Sequence, residues 1–85
     1  MYYTYILKSK VKDTYYIGSC SNLNLRLERH NSGNSRSTKA FSPWEIVYFE
    51  EFENKKDAMK REYYIKRQKS KKYIENLINS EGRPD

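Results

Sequence analysis

The segment YIGSCSNLNLRLERHN, residues 16–31, contains two side chains whose spacing suits phosphate chemistry. Arg26 and His30 are four residues apart, so on a helix they share one face. Arginine offers a planar set of donors that fits phosphate oxygens, and histidine is the side chain most often used to move protons near neutral pH. The pair indicates a phosphate-handling site, and a solvated helix surface with one histidine is the ordinary alternative.

Two tyrosines precede this pair along the chain. Tyr5 and Tyr16 lie in aromatic, β-branched segments that favour neighbouring strands, where both rings can project from the same face of a sheet. Gly18 would let the backbone or a ligand approach closely. Because tyrosine is an ordinary strand residue, a purely structural role is the alternative for both tyrosines.

Glu62 is the carboxylate that could complete such a site. It shares a helix face with Ala58 and Ile65, so its side chain is predicted to point inward rather than to solvent. A carboxylate in that position is rare unless it is paired or binds a metal. An ion pair with Lys66, four residues later, is the structural alternative.

Basic residues are concentrated near the carboxyl end of the chain. The run KRQKSKK covers residues 66–72, and the whole chain has a formal net charge of +6. This charge indicates a polyanionic partner, with nucleic acid favoured over an anionic membrane. Arg36 and Lys39, in a polar loop, form an alternative binding surface. The predicted nucleic-acid-binding residues are Lys39, Lys66, Arg67, Lys69, Lys71 and Lys72.

The composition is typical of one small folded domain. The 85 residues are 36% hydrophobic and 15% aromatic, which argues against disorder, although so short a chain can form only a thin core. One histidine and one cysteine exclude a structural zinc site built from such ligands. The lone Cys20 suits a reducing compartment, and neither a signal peptide nor an apolar run of membrane length is seen. A soluble cytoplasmic protein is expected.

The hydrophobic pattern predicts the element order β-β-α-β-α-α. Aromatic and β-branched segments favour strands over residues 2–8, 14–19 and 44–52. Each predicted helix follows a residue that can cap its first turn. These capping candidates are Ser21 or Asn22, Asn54 and Ser70.

These elements predict a fold of the α+β class. A small three-stranded sheet, mainly antiparallel because the connections are short, would be flanked by helices. The order of the strands within the sheet does not follow from the pattern. Residues 1–80 would form a single domain, and residues 81–85 would form a frayed tail.

Together these residues resemble the GIY-YIG nuclease family, in particular its small single-domain bacterial members, which are related to the amino-terminal nuclease module of an excinuclease. YTY at residues 3–5 matches the first motif, and YIG at residues 16–18 matches the second. The family's arginine, histidine and late glutamate match Arg26, His30 and Glu62. The chain departs from the first motif, because tyrosine and threonine replace its glycine and isoleucine.

The resemblance implies metal-dependent hydrolysis of phosphodiester bonds in DNA, with branched, flapped or damaged DNA as candidate substrates. Tyr5 would be the general base toward the attacking water, helped by Arg26 and His30. Tyr16 would hydrogen-bond a phosphate or a water, and Arg26 would also stabilise the charge on phosphorus. Glu62 would hold one Mg²⁺ or Mn²⁺ ion.

Two other classes of function fit parts of the same sequence. A non-catalytic basic module with this fold would bind nucleic acid and cleave little, with a partner protein or a homodimer completing its role. An RNA-binding protein would use the positive charge and the tyrosines. Neither alternative explains Glu62, so the intact set of five site candidates favours the nuclease.

Overall fold

The structure is a computed structural model that describes residues 1–33, 36 and 38–80. The predicted α+β class and the order β-β-α-β-α-α are confirmed, and residues 81–85, the predicted tail, lie outside the described residues. The elements are β1 (Tyr2–Ser9), β2 (Tyr15–Cys20), α1 (Leu23–Asn31), a short 3₁₀ turn (Lys39–Phe41), β3 (Trp44–Phe52), α2 (Lys55–Gln68) and α3 (Lys71–Asn79).

The sheet is antiparallel and has the strand order β2-β1-β3. β1 is the central strand, so β2 has one edge that pairs with β1 and one edge that is free of pairing within the described residues. In this register Tyr5 lies opposite Gly18 of β2 and opposite Phe49 of β3. The side chain of Tyr5 therefore projects from the central strand, and β2 lies between that strand and the free edge.

Each face of the sheet has its own core because side chains alternate along a strand. On one face, α1 covers a cluster that includes Tyr5 and Trp44. On the other face, α2 and α3 cover a cluster that includes Ile6 and Ile65. Residues 4–7 of β1 are consequently all buried. Within the described residues, none of the helices combines the length and the apolar character needed to span a membrane.

Capping side chains mark the starts of the three α-helices, and a glycine follows the end of α1. Asn22, Asn54 and Ser70 each accept a hydrogen bond from a backbone N–H in the first turn of the following helix. Asn22, rather than Ser21, therefore caps α1. Gly33 follows the end of α1 with φ of +85°, a left-handed conformation that favours glycine.

Two contacts fix α2 against the sheet. The hydroxyl of Thr4 donates to the carbonyl of Ala58 at 2.6 Å, and both residues are fully buried. Arg61 donates to the carboxylate of Glu50 on β3 through two nitrogens, each about 3.0 Å from an oxygen. Because these contacts set the rotation of α2 about its axis, Glu62 faces β2 instead of solvent.

Candidate functional site

Tyr5 and His30 are in direct contact between β1 and α1. The phenol oxygen of Tyr5 lies 3.2 Å from Nε2 of His30, and the two residues are only 1% and 2% exposed. The ring of Tyr16 packs against the same imidazole, with 4.8 Å between ring centroids. Three of the predicted site residues therefore meet on the α1 face of the sheet.

Arg26 lies one helical turn before His30 and joins this group. Its guanidinium is close enough to Tyr5 and His30 to affect the ionisation of both. Arg26 also lines surface depressions near the end of β2, so it connects the buried groups to solvent. We call Tyr5, Tyr16, Arg26 and His30 the Tyr–His cluster.

Burial is the largest influence on both titrating groups in the cluster. Burial raises the pKa of Tyr5, the neighbouring Tyr16 raises it further, and Arg26 opposes this. Burial lowers the pKa of His30, and the charges of Arg26 and Arg29 lower it further. His30 is therefore neutral at pH 7, and one of its ring nitrogens can accept a proton.

Gly18 leaves the space that Tyr5 occupies. A Cβ atom on Gly18 would lie 2.6 Å from the phenol oxygen of Tyr5 and 2.8 Å from Cζ, closer than unbonded atoms pack. The Tyr5 ring thus crosses β2 at this glycine and brings its hydroxyl toward the edge strand. The glycine of the second motif has a steric role.

We expect Gly18→Ala to lower the free energy of unfolding by about 1–3 kcal/mol, the usual cost of overpacking a core. The added methyl must displace Tyr5, whose hydroxyl is held by His30. Urea unfolding measures the change. Ser21→Ala, at an exposed position just after β2, is the control and should change stability by less than about 0.5 kcal/mol. Equal stability of the two variants would contradict a tight contact between Gly18 and Tyr5.

The second ring nitrogen of His30 has a buried partner that sequence reasoning missed. Nδ1 of His30 lies 2.7 Å from Oγ1 of Thr38, which is fully buried. The carbonyl of Thr38 accepts the indole N–H of Trp44 at 2.8 Å, and the side chain of Asn31 binds the backbone of Trp44 at both its N–H and its carbonyl. These bonds tie the loop after α1 to β3 and to His30.

Glu62 reaches β2 from the opposite face of the sheet. Its Oε1 accepts a hydrogen bond from the Ser19 hydroxyl at 2.7 Å, and its Oε2 lies 2.6 Å from Nζ of Lys66. The side chain of Glu62 is 16% exposed. The predicted inward orientation and the ion pair with Lys66, which the sequence left as alternatives, are therefore both present.

The edge strand β2 separates Glu62 from the Tyr–His cluster. Ser19, which binds Glu62, and Gly18, over which Tyr5 lies, are consecutive residues and therefore face opposite sides of the sheet. The structure thus brings four of the five site candidates together and places the fifth across one strand from them. A ligand could contact both sides by lying over the free edge of β2 or at the end of this strand, where Arg26 and Ser19 line one depression.

Glu62 and Ser19 present only oxygen atoms, which suit a hard divalent cation. Within the described residues, no group of three or more His, Cys, Asp or Glu side chains is placed to hold a metal. A cation at Glu62 would therefore take one protein carboxylate and complete its shell with water and substrate oxygens, as Mg²⁺ commonly does. Lys66 would have to release the carboxylate oxygen that it contacts.

Three of the predicted nucleic-acid-binding lysines line one groove. Lys66, Lys69 and Lys71 surround it together with residues 13–15 at the tip of the β1–β2 hairpin. Lys71 is bonded to Asp13, and this contact lowers the pKa of the Asp13 carboxyl. The groove includes β2 residues on the α2 face and also Lys66, the ion-pair partner of Glu62. We call it the lysine groove.

The other predicted binding residues lie outside the lysine groove. Arg67 and Lys72 are exposed, and in the part of the chain that the structure describes they pair with no acidic side chain. Lys39 begins the 3₁₀ turn, and its side chain packs near Gly33 at the end of α1. Contact of these residues with nucleic acid stays a prediction.

Comparison with known proteins agrees with the family that the fold and the motifs indicate. Residues 1–75 match the GIY-YIG catalytic domain, so the chain belongs to the GIY-YIG family, as the resemblance predicted. The chain is 47% identical over 68 residues to a UPF0213 protein of Clostridium perfringens, covering 79% of this chain and 72% of that protein. It is 36% identical over 83 residues to UPF0213 protein YazA of Bacillus subtilis, covering 93% and 83%.

A solved structure has a similar fold. The solution NMR structure of UPF0213 protein BH0048 from Bacillus halodurans matches with a TM-score of 0.60 at 31% identity, over 99% of this chain and 89% of that one. The names of these relatives state no activity. Family membership indicates a nuclease type of domain, and the reaction that this chain catalyses has to be inferred from its own residues.

Proposed function

We propose that this protein is a divalent-metal-dependent endonuclease that hydrolyses phosphodiester bonds in DNA. The observation that supports this most is the contact between the Tyr5 phenol and a neutral His30 beside Arg26. Burying polar groups together costs stability in so thin a core, and active sites are where proteins accept that cost. Membership of the GIY-YIG family supplies the class of reaction.

The Tyr–His cluster can carry the proton transfers that hydrolysis needs. Burial disfavours the phenolate of Tyr5 and Arg26 favours it, and in the reaction the proton would pass from the phenol oxygen to Nε2 of His30. The phenolate then takes a proton from water, whose oxygen bonds to phosphorus as the ester P–O bond breaks. The leaving oxygen departs with the bonding electrons and takes a proton from solvent, and His30 returns its proton to solvent.

The remaining site residues would act on the phosphate itself. Arg26 would stabilise the negative charge that grows on the phosphate oxygens, and Tyr16 would hydrogen-bond one of them or a water. Glu62 would hold one Mg²⁺ or Mn²⁺ ion, which when bound polarises the phosphate and stabilises the leaving oxygen.

DNA would lie over the free edge of β2. From there its backbone would face the Tyr–His cluster on one side and Glu62 with the lysine groove on the other. This path explains why the carboxylate and the tyrosines approach one strand from opposite faces.

A nucleic-acid-binding module that does not cleave is the second candidate. Two observations favour it: Lys66 neutralises Glu62, and Glu62 lies across β2 from Tyr5. Such a module would bind DNA or RNA, alone or with a partner protein or a second copy of the chain.

A cleavage assay on linear, flapped and branched DNA separates the two candidates. The nuclease should cut at least one substrate with Mg²⁺ or Mn²⁺ and none with EDTA. Single-stranded RNA belongs in the same panel. Tight binding without cutting under every condition would contradict the proposed nuclease and support the binding module.

We expect Asp13→Asn to strengthen DNA binding and to make it more dependent on salt. The change removes the carboxylate bonded to Lys71 and frees that ammonium for a phosphate. One additional phosphate contact steepens the slope of log affinity against log salt by about 0.9. Fluorescence anisotropy with labelled DNA at several salt concentrations measures the slope.

Asp57→Asn, in the first turn of α2 and outside the lysine groove, makes the same change of charge and is the matched control. It should strengthen binding less than Asp13→Asn does. An equal gain from both variants would reflect net charge alone and would place the DNA backbone away from this groove.

A further inference from the structure

We infer that Thr38 is a positioning residue that fixes the tautomer of His30 required to accept the Tyr5 proton. The inference rests on the proposed function and adds to it a residue outside the two family motifs. It is carried by the contacts of the two ring nitrogens, which are Nε2 to Tyr5 at 3.2 Å and Nδ1 to Thr38 at 2.7 Å.

The two tautomers of a neutral imidazole have different consequences at this site. With the proton on Nε2, His30 would donate to the Tyr5 oxygen and could not take the phenol proton. With the proton on Nδ1, His30 donates to Oγ1 of Thr38 and turns the lone pair of Nε2 toward Tyr5. Only the second tautomer allows Tyr5 to become a base.

The chemistry of the partners favours the second tautomer. A phenol is a stronger hydrogen-bond donor than an alkyl hydroxyl, so the better match for an imidazole lone pair is Tyr5 rather than Thr38. The cationic Arg26 lies beside the phenol and suits its oxygen as an acceptor. The phenol hydrogen is then left to point at His30.

The surroundings of Thr38 make its hydroxyl hard to replace. Thr38 is fully buried, and its carbonyl is held by the indole N–H of Trp44 and by the backbone N–H of Phe41. Because His30 is also buried, bulk water has little access to Nδ1. A threonine can therefore maintain the orientation of the ring through many turnovers.

A neutral partner also suits a histidine that must release its proton again. Among the residues that the structure describes, the groups that face His30 are Tyr5 from β1, Tyr16 from β2, Arg26 and Arg29 from α1, and Thr38 from the loop. None of these partners is an acid that would hold the imidazolium strongly. A carboxylate in place of Thr38 would raise the pKa of the imidazole and make release of the Tyr5 proton less favourable.

The first test is the tautomer itself, measured by ¹⁵N NMR of the imidazole in the parent protein without DNA. His30 is the only histidine of the chain, so its signals need no assignment by mutation. We expect the proton on Nδ1, and a parent with the proton on Nε2 would overturn the inference. In Thr38→Val the Nε2-protonated form should gain population, whereas Thr38→Ser should keep the parent tautomer.

The second test is DNA cleavage as a function of pH. Thr38→Val should lower kcat about tenfold to a hundredfold, the usual cost of losing the partner that orients a functional histidine. It should also shift the acid limb, which is the part of the pH profile where the cleavage rate rises with pH as His30 becomes neutral. Thr38→Ser, which keeps the buried hydroxyl, should restore most of the rate. An unchanged rate and acid limb in Thr38→Val would overturn the inference.

The two tests separate this inference from the proposed function. If the parent cleaves no DNA, the proposed function fails, and the NMR spectra alone decide whether Thr38 sets the tautomer. If the parent cleaves DNA and the spectra show no effect of Thr38→Val on the tautomer, the nuclease stands and Thr38 has only a structural role.

Discussion

Glu62→Gln should reduce DNA cleavage about a thousandfold or more and leave DNA binding intact or slightly tighter. The substitution keeps the size of the side chain and removes the charge that would hold the cation. A bound metal ion contributes several kcal/mol of transition-state stabilisation, and each loss of about 1.36 kcal/mol lowers the rate tenfold. Binding should not suffer, because a negative charge near the DNA phosphates disappears.

The fold should tolerate Glu62→Gln. The amide oxygen can still accept the Ser19 hydroxyl, and the lost partner, Lys66, has a side chain that is 45% exposed. Exposed ion pairs of this kind contribute about 0–1 kcal/mol. Loss of activity would then reflect chemistry rather than unfolding, and urea unfolding of the variant checks this.

A matched control and a second readout make this prediction decisive. Glu53→Gln makes the same change at an exposed position just before α2 and should cleave as fast as the parent. Mn²⁺ binding, measured by electron paramagnetic resonance without DNA, should weaken in Glu62→Gln and not in Glu53→Gln. If Glu62→Gln cuts as well as the parent, then Glu62 is structural, and its bonds to Ser19 and Lys66 are its whole role.

Local features of this chain were predictable because they depend on neighbouring residues. β3 has the bounds that the sequence predicted, and α2 begins directly after the predicted Asn54 cap, since an aromatic, β-branched run and a capping residue both act within a few residues. The pairing of Arg26 with His30 on one helix face follows from their spacing alone. Strand position made Tyr5 and Tyr16 candidates, and the resemblance to the family motifs supplied the roles expected of them.

Features that join distant parts of the chain were not predictable in the same way. The strand order places β1 between β2 and β3, and the packing of α1 on one face and α2 on the other decides that Glu62 and Tyr5 approach β2 from opposite faces. The Ser19–Glu62 bond spans 43 residues of sequence. Thr38 lies in a polar segment predicted only as loop, where no periodicity marks a residue as buried, so its bond to His30 is visible only in three dimensions.

Tyr5→Phe should lower the cleavage rate about a hundredfold to ten-thousandfold, the range for losing a general base. The change removes one oxygen and keeps the ring that fills the space over Gly18. Tyr64→Phe, on the exposed side of α2, removes the same oxygen elsewhere and should match the parent. Single-turnover cleavage of one DNA substrate at fixed salt and Mg²⁺ compares the three proteins.

The pH profile then shows whether Tyr5 acts through His30. Only the neutral imidazole can accept the phenol proton, so parent cleavage should rise with pH through the pKa of His30 and level off above it. That pKa lies below the usual value of 6.5, because burial and then Arg26 and Arg29 disfavour the charged ring. The rise should therefore fall on the acid side of pH 6.5.

In Tyr5→Phe the residual cleavage no longer depends on a proton transfer to His30, so this acid limb should disappear along with most of the rate. If Tyr5→Phe cleaves slowly but keeps the same acid limb in its pH profile, then His30 does not act through Tyr5. His30 would then act directly on the water or the phosphate, and Tyr5 would only hold it in place. A variant that keeps the parent rate would remove Tyr5 from the chemistry altogether, because no other change in that protein could supply the missing base.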